Sequence, residues 1–257
     1  MKKLLSLILA LLMLFGCMST AFAASESATV YVTVSNKGEL AVAQQKVTVK
    51  DIDGDNALTV NDALYAVHKA KYKGGADAGY SYYIHKDYGL SLGKLWGDSS
   101  GNFGYYLNNS SCWSLADTVK NDDYLNAFVY SDGKYFSDVY CFFEANTVSV
   151  EKGEEITLTL KGAGYDASWN PVTVPVKGAT ITVNGEKTAI KTDANGNATI
   201  SIEKNGTYVI SAVSSTQTLV PPVCTAKIGS FDILALISSI ISMIINAIGS
   251  LVSSFIK

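Results

Sequence analysis

The sequence predicts a mostly β fold made of two domains, with one short segment that combines a loop and a helix. Three observations support this fold class. Segments of alternating apolar and polar residues, such as 28–36, recur along the chain and are typical of strands. Pairs such as Asn184-Gly185 separate these segments, and both residues tolerate the positive φ that tight hairpins need. Hydrophobic residues make up 48% of the 257 residues, which is enough to fill folded cores.

The N-terminus, residues 1–24, has the pattern of a secretory signal peptide. Two lysines precede the apolar run 4–15, and the small residues Ala21 and Ala23 provide a cleavage site. Cys17 follows Leu-Phe-Gly, so lipidation of Cys17 is an alternative to simple cleavage. We therefore expect an N-terminal signal helix and an exported protein of the cell surface, with a secreted protein or a lipoprotein as alternatives.

The charge composition argues against two functional classes. The net charge is −3, and every basic side chain except the histidines is a lysine. A mildly acidic chain without arginine lacks the usual means of binding phosphates and bases, so nucleic acid is not an expected partner. The two histidines, His68 and His85, belong to no nucleophile, zinc or phosphate-binding motif. We expect His68 at a surface or half-buried helix position, and we expect a protein that is not an enzyme.

Residues 51–62, DIDGDNALTVND, have the spacing of a calcium loop of the EF-hand type. Such a loop supplies oxygen ligands from its positions 1, 3, 5, 7, 9 and 12, because Ca²⁺ is a hard cation. These positions are held by Asp51, Asp53, Asp55, Ala57, Thr59 and Asp62. Position 6, where the chain turns sharply, is Asn56, which tolerates a left-handed conformation. Crowded carboxylates repel one another without a cation, so the sequence favours calcium over a metal-free acidic turn that caps a helix.

The stretch DIDGDNALTVNDAL, 51–64, resembles the calcium loop of a dockerin repeat, which also ends in Asp and precedes a helix. A dockerin has two such repeats, and only one is found here. The loop is therefore expected to be an insertion, at about 49–73, within another domain. We expect Asn61 to cap the following helix, on which Leu64 and Val67 lie at helical spacing.

The segment 90–143 is aromatic and alternating, and three short motifs in it resemble the C-terminal domain of transcobalamin. These motifs are GYYLN at 104–108, LAD at 115–117 and KNDD at 120–123. The resemblance implies a β-grasp-like α+β domain over 27–145. The domain helps to cover cobalamin in transcobalamin, and nothing in this sequence carries that ligand over.

Aromatic side chains in this domain are candidates for a ligand-binding surface, because they are rigid and have polar tips. The candidates are Tyr82, Tyr83, Trp96, Tyr105, Tyr106 and Trp113. Neighbours in a strand point to opposite faces, so one tyrosine of each adjacent pair is expected to be exposed. The ligand is expected to be a glycan, a peptide or a small molecule. The alternative is that these side chains form the core.

The second domain, 146–228, contains short strand-like runs separated by turns that contain Asn-Gly. This spacing indicates a β-sandwich. The pattern GATITVNG, TDANGNATISI and GTYVISA resembles bacterial immunoglobulin-like domains of surface proteins. The resemblance implies a spacer or stalk. Asp193 and Asn195 are expected to form a turn and no metal site.

Three cysteines follow the signal region: Cys112, Cys141 and Cys224. Export permits disulfides. Cys112 and Cys141 lie in adjacent strand-like segments and could pair, which would leave Cys224 single. The alternative is that all three are small buried apolar residues.

The C-terminal segment, 231–256, is almost free of charge and long enough to cross a bilayer as a helix. Small and polar residues fall on one side of this helix and large apolar residues on the other. We expect a membrane anchor. A helix lying on the membrane and burial in a homo-oligomer are the alternatives. The linker before the helix is expected to include Pro221-Pro222 and Gly229-Ser230.

Together these features predict a non-catalytic binding or adhesion protein of the cell surface, stabilised by calcium and displayed on a spacer. A capture protein for a small molecule, which would use an aromatic cleft, is one alternative. A structural component of a surface assembly is the other.

Overall fold

A computed structural model describes residues 27–168 and 170–229, and this part of the chain is mostly β. The predicted signal peptide (1–24) and the predicted C-terminal helix (231–256) lie outside the described residues. Within residues 27–168 and 170–229, no helix has the length and apolar character that a membrane span requires.

The described chain divides into two compact units. Unit 1 comprises residues 27–32 and 45–127, and unit 2 comprises residues 33–44 and 128–229. The division after residue 127 falls earlier than the boundary predicted near 145. Its physical reason is that the strand Val139–Phe143 pairs with strands of unit 2 and contributes side chains to their core.

Residues 27–129 contain seven strands and two helices. The strands are β1 (Ala28–Asn36), β2 (Glu39–Val49), β3 (Ser81–His85), β4 (Gly89–Lys94), β5 (Phe103–Leu107), β6 (Ser110–Ser111) and β7 (Asp123–Val129). Helices α1 (Val60–Lys71) and α2 (Gly75–Gly79) lie between β2 and β3. Five strands form one sheet in the order β2-β1-β7-β5-β6, and β3 and β4 form a separate hairpin. The first two strands and the helix after them were predicted from the alternating and helical patterns.

Residues 139–168 and 170–228 form a two-sheet β-sandwich in unit 2. Its strands are β8 (Val139–Phe143), β9 (Thr147–Val150), β10 (Glu155–Tyr165), β11 (Pro171–Pro175), β12 (Thr180–Val183), β13 (Glu186–Lys191), β14 (Asn197–Ser201), β15 (Gly206–Val213), β16 (Leu219–Val220) and β17 (Cys224–Ile228). One sheet has the order β11-β10-β8-β16, with β14 also paired to β10, and the other has the order β13-β12-β15-β17-β9. Buried side chains from both sheets, including Phe143, Leu158 and Ile210, pack into one core.

The turns of the sandwich have the chemistry that the sequence predicts. Asn184 and Gly185 join β12 to β13 with φ values of 50° and 84°, as a two-residue hairpin turn requires. Asp193 caps the turn before β14 by accepting hydrogen bonds from the amides of Asn195 and Asn197. Gly196 has a φ of 80°, and a Cβ added there would collide with the Leu160 carbonyl.

Two local predictions are wrong. Thr59 is the N-cap of α1, in place of the predicted Asn61, because the Thr59 hydroxyl and the Asp62 carboxylate form a reciprocal capping box. Pro221 and Pro222 are buried between β16 and β17 and do not form a linker. Their burial follows from the return of the chain to the sandwich core, where Val223 and Cys224 are also buried.

Candidate functional site

Three of the six predicted calcium ligands come together in the structure. Asp51, Asp53 and Asp55 each place one carboxylate oxygen within 4.8 Å of the other two, and all three side chains are exposed. Carboxylate oxygens are the kind of ligand that Ca²⁺ prefers. The binding of calcium by these three residues stays a prediction.

The loop backbone is wound around Asp51. Its Oδ1 accepts hydrogen bonds from the amides of Asp53 (3.2 Å) and Gly54 (2.7 Å), and its Oδ2 accepts one from Asn56 (2.9 Å). The bond from Gly54 is the main reason why the pKa of Asp51 is lowered. Asn56 has a φ of 66°, so the predicted left-handed residue at position 6 is confirmed. Ala57 is half-buried, and its amide donates to the carboxylate of Asp55.

The surroundings of Asp53 favour its negative charge less than the surroundings of Asp51 do. Partial burial, followed by the nearby carboxylates of Asp55 and Asp62, raises the pKa of Asp53. The amide of the Asn61 side chain donates to Asp53 Oδ2 at 2.9 Å and offsets part of this effect. A cation bound between the loop carboxylates would relieve the repulsion between them.

Asp62 and Thr59 are buried and hold the loop to the helix. Asp62 Oδ2 accepts from the amide and the hydroxyl of Thr59, both at 2.7 Å, and Asp62 Oδ1 accepts from the amide of Ile52 at 2.9 Å. Both residues were predicted as ligands. In this structure their polar atoms bond to each other and to the loop backbone, and their role as ligands stays a prediction.

The segment 115–119 is the pairing partner of the loop. Leu58 accepts from the amide of Val119 (2.8 Å), and the amides of Val60 and Asn61 donate to the carbonyls of Asp117 and Leu115 (both 2.9 Å). Thr59 and Thr118 form an antiparallel bridge. The end of the calcium-type loop therefore pairs with a segment of its own domain and not with a second loop of the same type. The LAD motif at 115–117 was singled out in the sequence, but no residue pattern signals its pairing with the loop, so sequence reasoning missed this contact.

A buried hydrogen-bond relay joins the loop to the β3–β4 hairpin. Asn61 donates to Asp53, and its Oδ1 accepts from the Tyr80 hydroxyl at 2.6 Å. Asn61 is fully buried and Tyr80 is 5% exposed, and burial raises the pKa of Tyr80 strongly. Tyr80 directly precedes β3, so the relay ends at the start of the hairpin.

Three of the six predicted ligand-binding aromatics are exposed. Tyr82, Tyr83 and Trp113 are 41%, 50% and 95% exposed. One residue of the Tyr82-Tyr83 pair was expected to be exposed, and both are, because β3 pairs with a strand on one side only within the described residues. Ile84 (81%) and Tyr88 (74%) extend this region. We refer to Tyr82, Tyr83, Ile84, Tyr88 and Trp113 as the aromatic surface.

The loop of Trp113 is fixed to the hairpin. The Leu90 carbonyl at the start of β4 accepts from the Leu115 amide and the Ser114 hydroxyl. Asp117 accepts from the Trp113 amide at 2.8 Å. These bonds hold the backbone beneath the exposed indole.

Trp96, Tyr105 and Tyr106 are not part of the aromatic surface. Trp96 packs between His68 and Tyr72, with ring centroids 5.1 Å from both. Tyr105 and Tyr106 are half-buried in β5. The predicted set therefore separates into an exposed group and a packed group.

His68 is fully buried, so the prediction of a surface or half-buried position is wrong. Its Nε2 accepts from the Trp96 amide at 2.9 Å, and its Nδ1 therefore carries the proton that is shared with the Leu64 carbonyl. Burial lowers the pKa of His68 to about 4. A neutral histidine in this aromatic cluster is a packing element.

The cysteines in the described residues are all free thiols, so the predicted pair between Cys112 and Cys141 is not formed. Cys141 and Cys224 are buried in the sandwich core, as the alternative of small buried residues predicted. Cys112 is half-buried beside Tyr105 in unit 1, and burial raises the pKa of its thiol to about 12.

Comparisons with known proteins give little beyond this geometry. No protein-family model and no curated protein matches the chain. Among solved structures, the four N-terminal Ig domains of Dscam1 isoform 4.4 align over 77% of this chain and 42% of that one, with 9% identity and a TM-score of 0.22. Immunoglobulin domains 1–4 of Sidekick-1 align over 78% and 49%, with 14% identity and a TM-score of 0.23.

The ectodomain of the teleost fish polymeric Ig receptor aligns over 59% of this chain and 74% of that one, with 14% identity and a TM-score of 0.19. The chain spans less than half the length of the Dscam1 and Sidekick-1 structures. All three are immunoglobulin-domain proteins, and at these TM-scores they carry no argument about this chain.

Proposed function

We propose that this protein is an exported, non-catalytic binding protein of the cell surface, and that its aromatic surface is the contact region. The observation that carries the proposal is the exposure of that surface. Monomeric proteins leave few large aromatic side chains so open, and aromatic residues are enriched at the centres of interfaces. An open surface suits adhesion better than enclosure of a small molecule.

Calcium is the second part of the proposal. Asp51, Asp53 and Asp55 would hold the ion, which would neutralise their crowded charges. Asp62 and Thr59 would keep the loop in place from the helix side. The relay through Asn61 and Tyr80 would then connect an ordered loop to the hairpin that carries the aromatic surface.

The strand topology supports the two proposed fold families, and the two ends of the sequence support the proposed location. Four strands of the first sheet lie side by side in the order β2-β1-β7-β5, and in the chain α1 follows β2 and precedes β5. This arrangement supports a β-grasp-like first domain. The two-sheet sandwich supports an immunoglobulin-like spacer. The signal-type N-terminus and the apolar C-terminal segment support export and membrane attachment.

The test is a binding assay against a panel of immobilised glycans and peptides, with calcium and with a chelator. We expect binding to at least one class, and a loss of affinity of about tenfold or more for Trp113→Ala and Tyr88→Ala. Tyr165→Ala is the matched control, because Tyr165 is 67% exposed in unit 2. Equal affinities for all variants, or no binding across the panel, would contradict the proposed contact region.

A further inference from the structure

The outer edge of β3 is open in the described structure. Across residues 27–168 and 170–229, β3 pairs only with β4. Its central residues are exposed on both faces: Tyr82 by 41%, Tyr83 by 50% and Ile84 by 81%. The register shift between β3 and β4 lies at Ser81/Tyr82, so residues 82–85 are regularly paired on the inner side. The outer side of a regular edge strand offers unpaired amide and carbonyl groups.

Two other edge strands of the described residues, β11 and β13, carry protection that β3 lacks. Edge strands are usually blunted by charged side chains or proline. Strand β11 begins and ends with proline, at Pro171 and Pro175. Strand β13 carries Glu186, Lys187 and Lys191. Strand β3 reads Ser-Tyr-Tyr-Ile-His and contains neither a proline nor an acidic residue or lysine.

We propose that β3 is a self-association edge, which pairs antiparallel with β3 of a second copy of this chain around a twofold axis at Tyr83. The two hairpins would form a four-stranded sheet in the order β4-β3-β3-β4. This inference rests on the proposed binding role of the aromatic surface and names its partner. A twofold contact uses the same residues on both copies, so the strand must complement itself.

The sequence of β3 is complementary to itself in this register. Tyr82 of one copy faces Ile84 of the other, and this aromatic–β-branched pair is favourable across antiparallel strands. Ser81 faces His85, so no two like charges are opposed. The two Lys86 side chains lie at opposite ends, about 20 Å apart along the strands. That separation exceeds the Debye length of about 8–10 Å in physiological salt, so their repulsion is screened.

The size of the edge sets the strength of the contact. A five-residue strand buries much less than the roughly 1,200–2,000 Å² of a stable interface. Association in solution is therefore weak and concentration-dependent. Display of many copies on one surface raises the effective concentration and makes a weak contact sufficient.

Sedimentation equilibrium of the purified protein, from micromolar to near-millimolar concentration, tests the association. We expect a monomer–dimer equilibrium. Ile84→Lys should weaken the dimerisation affinity by about tenfold or more, because the lysine would face Tyr82 of the other copy across the paired β3 strands. Val174→Lys is the matched control, because Val174 is 45% exposed on the edge strand β11. A monomer at every concentration, or an oligomer that Ile84→Lys leaves unchanged, would overturn the proposal.

Cysteine cross-linking in a Cys112→Ser background tests the register. Opposed residues have Cβ atoms about 4.5–5.5 Å apart, close to disulfide geometry, whereas diagonal neighbours are farther apart. Tyr83→Cys should therefore cross-link to itself. Ile84→Cys should cross-link with Tyr82→Cys in a mixed sample and only poorly with itself. Equal self-linking at positions 83 and 84 would contradict a twofold axis at Tyr83.

The two proposals can fail separately. A protein that stays monomeric but loses panel binding on Trp113→Ala has a foreign partner, and only the self-association proposal fails. The opposite result is a protein that binds nothing on the panel but forms a dimer that Ile84→Lys disrupts. In that case the self-association proposal stands, and the proposal of a foreign ligand fails.

Discussion

His68 is a buried histidine whose two ring nitrogens are both committed. Nδ1–H donates to the Leu64 carbonyl at 2.6 Å and Nε2 accepts from the Trp96 amide at 2.9 Å. Protonation of Nε2 would place two N–H groups against each other in an aromatic cluster that excludes water. Burial therefore lowers the pKa of His68 from 6.5 to about 4.

The lowered pKa predicts a loss of stability in weak acid. The unfolded chain binds the proton near pH 6.5 and the folded chain only near pH 4, so folding opposes protonation between these values. The contribution of His68 is complete above pH 6.5 and falls by about 3 kcal/mol as the pH decreases to about 4. Urea unfolding between pH 7 and pH 4 measures this slope.

Two variants separate this effect from other titrations. His68→Gln should be less stable at pH 7 and should lose less stability on acidification. His85→Gln, which changes the other histidine and lies on the hairpin, is the comparison variant. If His68→Gln does not fold, NMR of the ring protons in the unaltered protein measures the pKa of His68 directly. A value near 6.5 would refute a buried neutral state.

At the scale of elements, the calcium-type loop, α1 and the segment 115–119 form one hydrogen-bonded assembly. The loop carboxylates face solvent, while the capping box and the pairing with 115–119 fix the backbone behind them. A site with a fixed backbone requires little ordering when an ion binds. A bound ion would then stabilise the folded state by mass action.

Calcium should raise the melting temperature of the protein, and Asp51→Ala should abolish the rise. At about a hundredfold excess over Kd, the gain of ~2.7 kcal/mol corresponds to ~5–10 °C for a protein of this size. Differential scanning calorimetry with calcium and with a chelator measures the shift.

The control for this prediction is Asp193→Ala. Asp193 also accepts two backbone amides in an exposed turn, but it belongs to the sandwich and lies outside the acidic loop. That variant should keep the full calcium shift. A protein with the same melting temperature in calcium and in chelator would leave residues 51–62 as an acidic turn.

The relay from Asp53 through Asn61 to Tyr80 predicts coupling between the loop and the hairpin. Tyr80→Phe removes one hydroxyl and leaves the buried Asn61 Oδ1 without its donor, which should cost about 1–3 kcal/mol of stability. Asn61 would also be held less firmly against Asp53, so the calcium shift should decrease. Thermal unfolding of the variant with calcium and with chelator measures both effects.

Tyr88→Phe is the comparison for the relay, because Tyr88 is 74% exposed and its hydroxyl is lost at the surface. It should change neither the stability nor the calcium shift by a measurable amount. If Tyr80→Phe matches Tyr88→Phe in both stability and calcium shift, the hydrogen bonds of the relay contribute nothing measurable to either quantity.

At the scale of the whole molecule, the two units contain different features. Unit 1 contains the acidic loop and the aromatic surface, and unit 2 contains the sandwich core with its short, mostly polar turns. Weak binding through an exposed surface suits a protein that is displayed in many copies, because linked copies bind far more strongly than single ones.

The sequence by itself determined that the fold is mostly β. It also determined the two strands before the loop, the helix after it and the turns of the sandwich. These features depend on local periodicity and on residues such as Asn56 and Gly185, whose backbone preferences act within a few positions. The cluster of Asp51, Asp53 and Asp55 was also predictable, because one tight loop brings residues of this spacing together.

Only the tertiary structure decided which side chains face solvent and which are buried. Asp62 was predicted as a calcium ligand and His68 at a surface or half-buried position. Both are fully buried, because partners from the loop, α1 and the turn at Trp96 satisfy their polar atoms. Tyr82 and Tyr83 are both exposed because β3 lies at the edge of a two-stranded hairpin. Burial and edge position depend on contacts between distant segments, and local residue patterns do not encode those contacts.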